Sequence, residues 1–262
     1  MDSSVLELAV VFFLFGLVVG SFLTVVVYRV PRKESVVSPR SRCPGCGRQI
    51  AAYDNIPVLS WVLLRGRCRH CSAQISPRYP LTELANGLLW LAASLRFGDE
   101  LFVAVIMACF FSVLLAVSLI DAEHRIIPNA ILYPAVPVFA VLLVAGRLLE
   151  APVDLFGAAV GLLAFGGGML LVAVIYPKGM GIGDVKLAGF LGLVLGSLGL
   201  ELVAVAAFLG FMLGAVGGAA LMAFAGKGRK TVVPFGPFLA AGAGASVFVG
   251  AQIADWYGGF FN

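Results

Sequence analysis

Two aspartates and four cysteines in the 262-residue sequence sit in patterns that can do chemistry. Asp121 directly follows the apolar run ending Ser118-Leu119-Ile120, and Asp184 closes Gly179-Met180-Gly181-Ile182-Gly183-Asp184 just before another apolar run. Both acids therefore stand at the edge of an apolar segment, where helices of a bundle can bring side chains face to face. Two carboxylates sharing a partly dry site cannot both ionise easily, so one keeps a proton while the other activates water. That is the chemistry of aspartic proteolysis. The competing readings are a helix-end acid in an ordinary loop for Asp121 and a dipole-favoured helix N-terminal acid for Asp184. Position alone leaves these open. The glycines offer Asp184 a backbone that can bend and approach a peptide closely. Neither they nor Gly166-Gly167-Gly168 make a nucleotide loop, which would have to follow a strand rather than lie beside or within an apolar run.

The cysteines form two knuckles, Cys43-Pro44-Gly45-Cys46 and Cys68-Arg69-His70-Cys71, separated by 21 residues. Such pairs read as a tetrahedral four-cysteine zinc site or as two redox pairs. Four thiolates leave no open coordination position, so the zinc would be structural, a staple for a loop with few large apolar residues. His70 could substitute as a ligand. Cys109 lies within an apolar run and reads as core filling.

The elements that must position these residues are membrane spans. Hydrophobic residues make up 61% of the chain and charged residues 12%, and the mean hydropathy is +1.02. A soluble fold could not hide that apolar surface, which excludes a soluble enzyme, a disordered chain and a nucleic-acid binder. Eight runs are long enough to consider: 8–28, 81–95, 101–120, 130–146, 155–176, 187–200, 202–226 and 232–254. The second and sixth are short, and the second carries Glu83 and Asn86. With eight spans, the loops 29–80, 121–129, 177–186 and 227–231 share one side and hold 16 of the 18 Lys and Arg. By the positive-inside rule that side is cytoplasmic and both termini face out. Disulfides are rare there, which favours metal at the cysteines. The ten Lys and Arg of residues 29–80 also suit contact with anionic lipid headgroups. The expected fold is an all-α polytopic membrane protein of about eight transmembrane helices. It comprises a first span (1–28), a cytoplasmic zinc-ribbon-like insertion (29–80) and a seven-helix membrane domain (81–262).

These residues resemble the type IV prepilin peptidases, over nearly the whole chain. The stretch from Gly20 to Pro31 resembles that family's amino-terminal signature, and Cys43, Cys46, Cys68 and Cys71 match its cysteine tetrad. The segment Ser76 to Glu83 resembles the approach to its second span. Asp121 to Asn129 matches its first aspartate motif, Gly181-Ile182-Gly183-Asp184 its GxGD motif, and Pro234 to Leu239 its carboxy-terminal signature. Asn129 stands where many members have Asp, and Thr24 where Asn is frequent.

The resemblance implies that Asp121 and Asp184 are the catalytic pair of a bacterial inner-membrane enzyme. Such an enzyme cleaves the basic leader of type IV prepilins or type II secretion pseudopilins at the cytoplasmic face. It then methylates the new amino terminus with S-adenosylmethionine. The tetrad places the chain with the bifunctional members. No soluble methyltransferase motif is present. Glu83, just after the cysteine loop, is a candidate for holding the amine or the methyl donor, against its reading as a helix N-terminal acid. A transporter would carry charges near the bilayer midplane, where this chain has almost none apart from Glu83. A membrane scaffold docking partners through its zinc ribbon would survive loss of either aspartate.

Overall fold

The computed structural model describes residues 3–177, 179–224 and 234–258. Among these the chain is almost entirely helical: α1 Ser3–Arg29, α2 Leu59–Leu63, α3 Arg78–Phe97, α4 Leu101–His124, α5 Asn129–Leu148, α6 Leu155–Gly161, α7 Gly167–Ile175, α8 Ile182–Gly196, α9 Leu200–Phe224 and α10 Gly236–Gly258. A π-helical turn, Leu162–Gly166, joins α6 to α7, so residues 155–175 form one continuous apolar rod. Within the described residues each of the eight apolar runs overlaps a helix. Among the described residues, five helices are long and apolar enough to cross a membrane: Val5–Arg32, Leu101–His124, Asn129–Leu148, Leu155–Ile175 and Leu200–Ala220. The remaining three fall short of that measure. The α3 helix is the more polar one, α8 has 15 residues, and the apolar stretch of α10 is Gly236–Gly250. Large side chains such as Phe15, Val141, Phe156, Leu163 and Phe208 are exposed on the spans. An apolar surface of that extent belongs against lipid.

The chain divides into two compact units, Met1–Ser112 and Val113–Asn262. In the first, α1 and α3 pack so closely that glycine is required. A Cβ on Gly16 would stand 2.7 Å from Trp90 Cβ, and one on Gly20 would stand 2.8 Å from Glu83 Cα. Polar links lock this pair in an environment without competing water. Asn86 Nδ2 donates to the Gly16 carbonyl (2.7 Å), Ser112 Oγ donates to Asn86 Oδ1 (2.8 Å), and Trp90 Nε1 donates to Ser112 Oγ (2.8 Å).

In the second unit α8 is central. Leu187, Ala188 and every residue from Phe190 to Gly196 are buried. Burial on all sides explains an apolar helix without an amphipathic stripe. Its glycines meet those of α6: a Cβ on Gly161 would strike the Gly192 carbonyl, one on Gly157 the Gly196 carbonyl, and one on Gly166 would come within 2.9 Å of Gly189 Cα. The spacing 157, 161, 166 has one residue too many for an α-helical face. The π-turn absorbs that residue and keeps Gly166 on the contact side. Gly210 and Gly214 of α9 likewise make room for Leu239 and Phe235 at the start of α10. The pairs Gly16-x-x-x-Gly20, Gly192-x-x-x-Gly196 and Gly210-x-x-x-Gly214 thus serve helix packing.

Residues 29–80 build two matching knuckles. Cys43 N donates to the Arg48 carbonyl (2.9 Å) and Gly47 N to the Cys43 carbonyl (2.8 Å); Cys68 N donates to the Ala73 carbonyl (2.9 Å) and Ser72 N to the Cys68 carbonyl (3.0 Å). Each knuckle is closed by an antiparallel bridge, Arg42 with Gln49 and Arg67 with Gln74. The residue after the second cysteine has positive φ in both, Gly47 (69°) and Ser72 (57°). Glycine takes that conformation without strain, whereas serine takes it at some cost. Between the knuckles, Trp61 Nε1 donates to the Ile75 carbonyl (3.0 Å), and Arg69 grips Asp54 through Nε and a second nitrogen (2.6 Å to Oδ1). That guanidinium holds the Asp54 carboxyl below its ordinary range.

Candidate active site

Asp121 occupies the last turn of α4. The helix ends there because Arg125 adopts a left-handed conformation (φ 56°), with its N–H donating to the Asp121 carbonyl at 2.8 Å. The segment 126–128 then crosses to α5. Asp184 lies in the first turn of α8, whose start is set by the extended backbone of Gly181. The carboxylates lie close enough for the charge on Asp121 to act on Asp184. Asp121 is buried (5% exposed) and Asp184 is half-buried. The pair the sequence singled out therefore comes together within the second unit.

Asp121 Oδ2 accepts a hydrogen bond from Gly236 N at 2.9 Å. Gly236 is the first residue of α10, where backbone N–H groups have no helical partner and the helix dipole favours negative charge. Sequence reasoning noted residues 234–239 only as a signature and gave Gly236 no role. The Gly236-Pro237 pair is a readable helix start, but nothing local tells which acid, 115 residues away, it faces.

Among the described glycines only Gly47, Gly66 and Gly199 have positive φ, so Gly179, Gly181 and Gly183 hold ordinary backbone angles. The glycines near Asp184 also clear space. A Cβ on Gly181 would stand 3.0 Å from Asp184 Oδ2, and one on Gly183 would stand 3.0 Å from Ile127 Cβ. Ile127 also reaches Gly236, where a Cβ would meet its Cδ1 at 3.3 Å. Its side chain thus packs against residues flanking both aspartates.

A further link ties α8, which carries Asp184, to α5. Lys186 Nζ donates to Asn129 Oδ1 (3.0 Å) and to Tyr133 Oη (2.9 Å), and it lies over the Tyr133 ring at 4.9 Å. It joins the start of α8 to the start of α5. Asn129, where relatives by resemblance often carry Asp, is the acceptor.

In the first unit, the Sγ atoms of Cys43, Cys46, Cys68 and Cys71 all lie within 4.8 Å of one another, and those of Cys43 and Cys71 are 3.7 Å apart. Tetrahedral Zn–S bonds of about 2.3 Å require S···S separations of about 3.8 Å. The four thiols fit a zinc ion. Backbone N–H groups of Cys71 and His70 bring the Cys68 thiol down to about 6, so one ligand is poised as thiolate. His70 Nδ1 lies 3.1 Å from an Arg48 nitrogen. His70 is not among the clustered ligand groups. Glu83 is 8% exposed, and its Oε2 accepts from Val58 N at 2.7 Å. Cys109 is a partly buried free thiol within α4.

The loop 227–231, Lys178 and the terminal residues 1–2 and 259–262, which entered the charge count or the assignment of both ends, lie outside the described residues.

A model described as the bacterial peptidase A24 N-terminal domain matches residues 14–97, and one for the type IV leader peptidase family matches residues 108–222. A prepilin leader peptidase/N-methyltransferase of Bacillus subtilis (strain 168) is 37% identical over 94% of this chain and 96% of its own length. One from Stutzerimonas stutzeri is 34% identical over 92% and 91%. One from Myxococcus xanthus (strain DK1622) is 44% identical over 71% of this chain but 56% of its own length. No solved structure matches. The amino-terminal match takes in the cysteine knuckles, and the second match takes in both aspartate helices. The chain therefore belongs to the type IV leader peptidase family.

Proposed function

We propose that the protein is a membrane aspartic endopeptidase with a second, N-methyltransferase activity. It removes the short basic leader from type IV prepilins or type II secretion pseudopilins, then methylates the new amino terminus using S-adenosylmethionine as a second substrate. The observation that carries the peptidase reading is the meeting of Asp121 and Asp184 at adjoining helix ends, with Gly236 N–H on one carboxylate. Asp121, supported by the α10 N-terminus, takes a proton from a water molecule. Asp184 gives its proton to the scissile carbonyl oxygen as the water oxygen bonds to carbon. As the tetrahedral species collapses, Asp121 passes its proton to the leaving nitrogen and a hydroxyl proton returns to Asp184, so the C–N bond breaks, the amine is freed and both carboxyls regain their starting states.

An amine accepts a methyl group only when neutral and in line with the donor, and a dyad built around a shared proton supplies neither condition. The aspartates therefore do not perform the transfer. The cysteine subdomain, with the adjoining helix ends, is the part that forms the donor pocket. Glu83, by holding Val58 at the junction with α3, acts through the position of that subdomain. One structural zinc at Cys43, Cys46, Cys68 and Cys71 keeps it folded. Eight spans put residues 29–80 and both aspartates on the cytoplasmic side of a bacterial inner membrane, with both termini outside. The loop asymmetry in Lys and Arg supports this orientation. Purified protein incubated in detergent with a prepilin, with and without S-adenosylmethionine, tests the proposal by mass spectrometry. An intact leader in both reactions would refute it, and a cleaved but unmethylated product would remove the second activity.

A further inference from the structure

The α2 helix buries its polar residue and exposes its apolar ones. Ser60 is 7% exposed, held by its hydroxyl to the Tyr53 carbonyl (2.9 Å), and Trp61 turns inward onto Gly66. Leu59, Val62 and Leu63, one helical face by their spacing, are 50%, 57% and 71% exposed, and Ile56 extends that face at 46%. Five residues of helix cannot hold such a face in water for the sake of their own stability.

The position of α2 says what covers it. Val58, immediately before α2, donates its N–H to Glu83 Oε2 at 2.7 Å. Val58 is held there at φ 60°, a conformation costly for a β-branched residue. Glu83 is five residues past the start of α3 at Arg78, about 7 Å along a helix at ~1.5 Å per residue. The apolar face therefore sits level with α3 residues that themselves turn outward, Leu81, Leu84 and Leu88. Exposed Arg65 and Arg67 follow α2 directly, and exposed Arg32, Lys33 and Arg78 mark where α1 and α3 meet the loop. The acids of residues 29–80 are only Glu34 and Asp54, and Arg69 already neutralises Asp54. An apolar face at the end of a membrane helix pair, in a segment rich in exposed basic residues, is complementary to the headgroup–acyl boundary of an anionic bilayer.

We propose that Ile56, Leu59, Val62 and Leu63 insert into that boundary and dock the cysteine subdomain onto anionic lipid. The inference rests on the membrane placement proposed above. It is tested on the full zinc-loaded chain in vesicles of phosphatidylcholine and phosphatidylglycerol. A spin label is introduced through a ketone-bearing amino acid in place of Leu63, and separately in place of Val62. Reference labels replace Leu88, on the outer face of α3, and His70, on a knuckle. Collision with oxygen reports lipid, and collision with a water-soluble nickel chelate reports water. The expected result is an oxygen-to-nickel ratio at 62 and 63 on the side of Leu88 and reversed from His70. It should fall when phosphatidylglycerol is omitted. Nickel-dominated collision at both 62 and 63, with oxygen dominating at 88, would overturn the docking and leave the membrane placement standing. Nickel dominance at 88 as well would overturn both. Failure of either reagent to reach 62 and 63 would show a protein surface over α2 and overturn the lipid assignment.

Discussion

Gly236→Ala is the sharpest test of how the aspartates are held. A Cβ at this position would stand 2.7 Å from Asp121 Oδ2, 3.3 Å from Asp121 Cγ and 3.3 Å from Ile127 Cδ1. Ordinary contact begins near 3.4 Å, so the carboxylate must retreat by roughly 0.7 Å, or α10 must shift as far, beyond the ~0.5 Å that catalytic geometry tolerates. Retreat lengthens the 2.9 Å bond from Gly236 N. Misplacement near 1 Å costs up to about 100-fold in rate, and loss of a charge-assisted hydrogen bond costs about 1.5–3 kcal/mol. Both routes place the fall in kcat at about 10- to 100-fold, or ~1.4–2.7 kcal/mol. KM should change little, because the substrate does not lose a contact. The assay is leader cleavage by the purified variant in detergent, with thermal unfolding followed alongside. Gly244→Ala on the same helix is the control, since a Cβ there meets nothing within 4 Å. Activity of Gly236→Ala within twofold of the parent would refute the placement of Gly236 at the reacting carboxylate.

Asp121→Asn and Asp184→Asn should each abolish cleavage yet methylate an already cleaved pilin, measured with labelled S-adenosylmethionine. Failure of both activities in a folded, zinc-bound variant would put them at one site. Elemental analysis should find one zinc per chain, lost in Cys43→Ser together with protection of residues 41–75 from protease, because metal binding and local folding are one equilibrium. Lys186→Met should slow cleavage by about 5- to 10-fold, the worth of ~1 kcal/mol for its link to Asn129 and Tyr133. Asn129→Asp should retain activity because the lysine then faces a carboxylate, and a loss equal to that of Lys186→Met would contradict the clamp.

Much of the architecture was legible because a bilayer imposes one-dimensional rules. Spans need about 20 apolar residues in a row, and within the described residues each of the eight runs overlaps a helix. The cysteine cluster was equally plain, since two knuckles at short spacing constrain their own backbone. Asp121 and Asp184 were visible as acids at apolar edges. The count of membrane crossings was harder to read. The α8 helix is apolar because it is buried among other helices, and hydropathy alone does not distinguish a core helix from a lipid-facing one.

What only the tertiary structure decided are contacts between residues far apart in the chain. The N–H of Gly236 meets a carboxylate 115 positions earlier, and Lys186 reaches back to Asn129 and Tyr133. Glu83 Oε2 accepts from Val58 N, 25 positions earlier. Gly181 and Gly183 leave room for Asp184 Oδ2 and for Ile127. The physical reason is the same in each case. Residue type states what a side chain can donate, accept or exclude, but which partner fills that capacity depends on the packing of whole helices, and no local spacing encodes it.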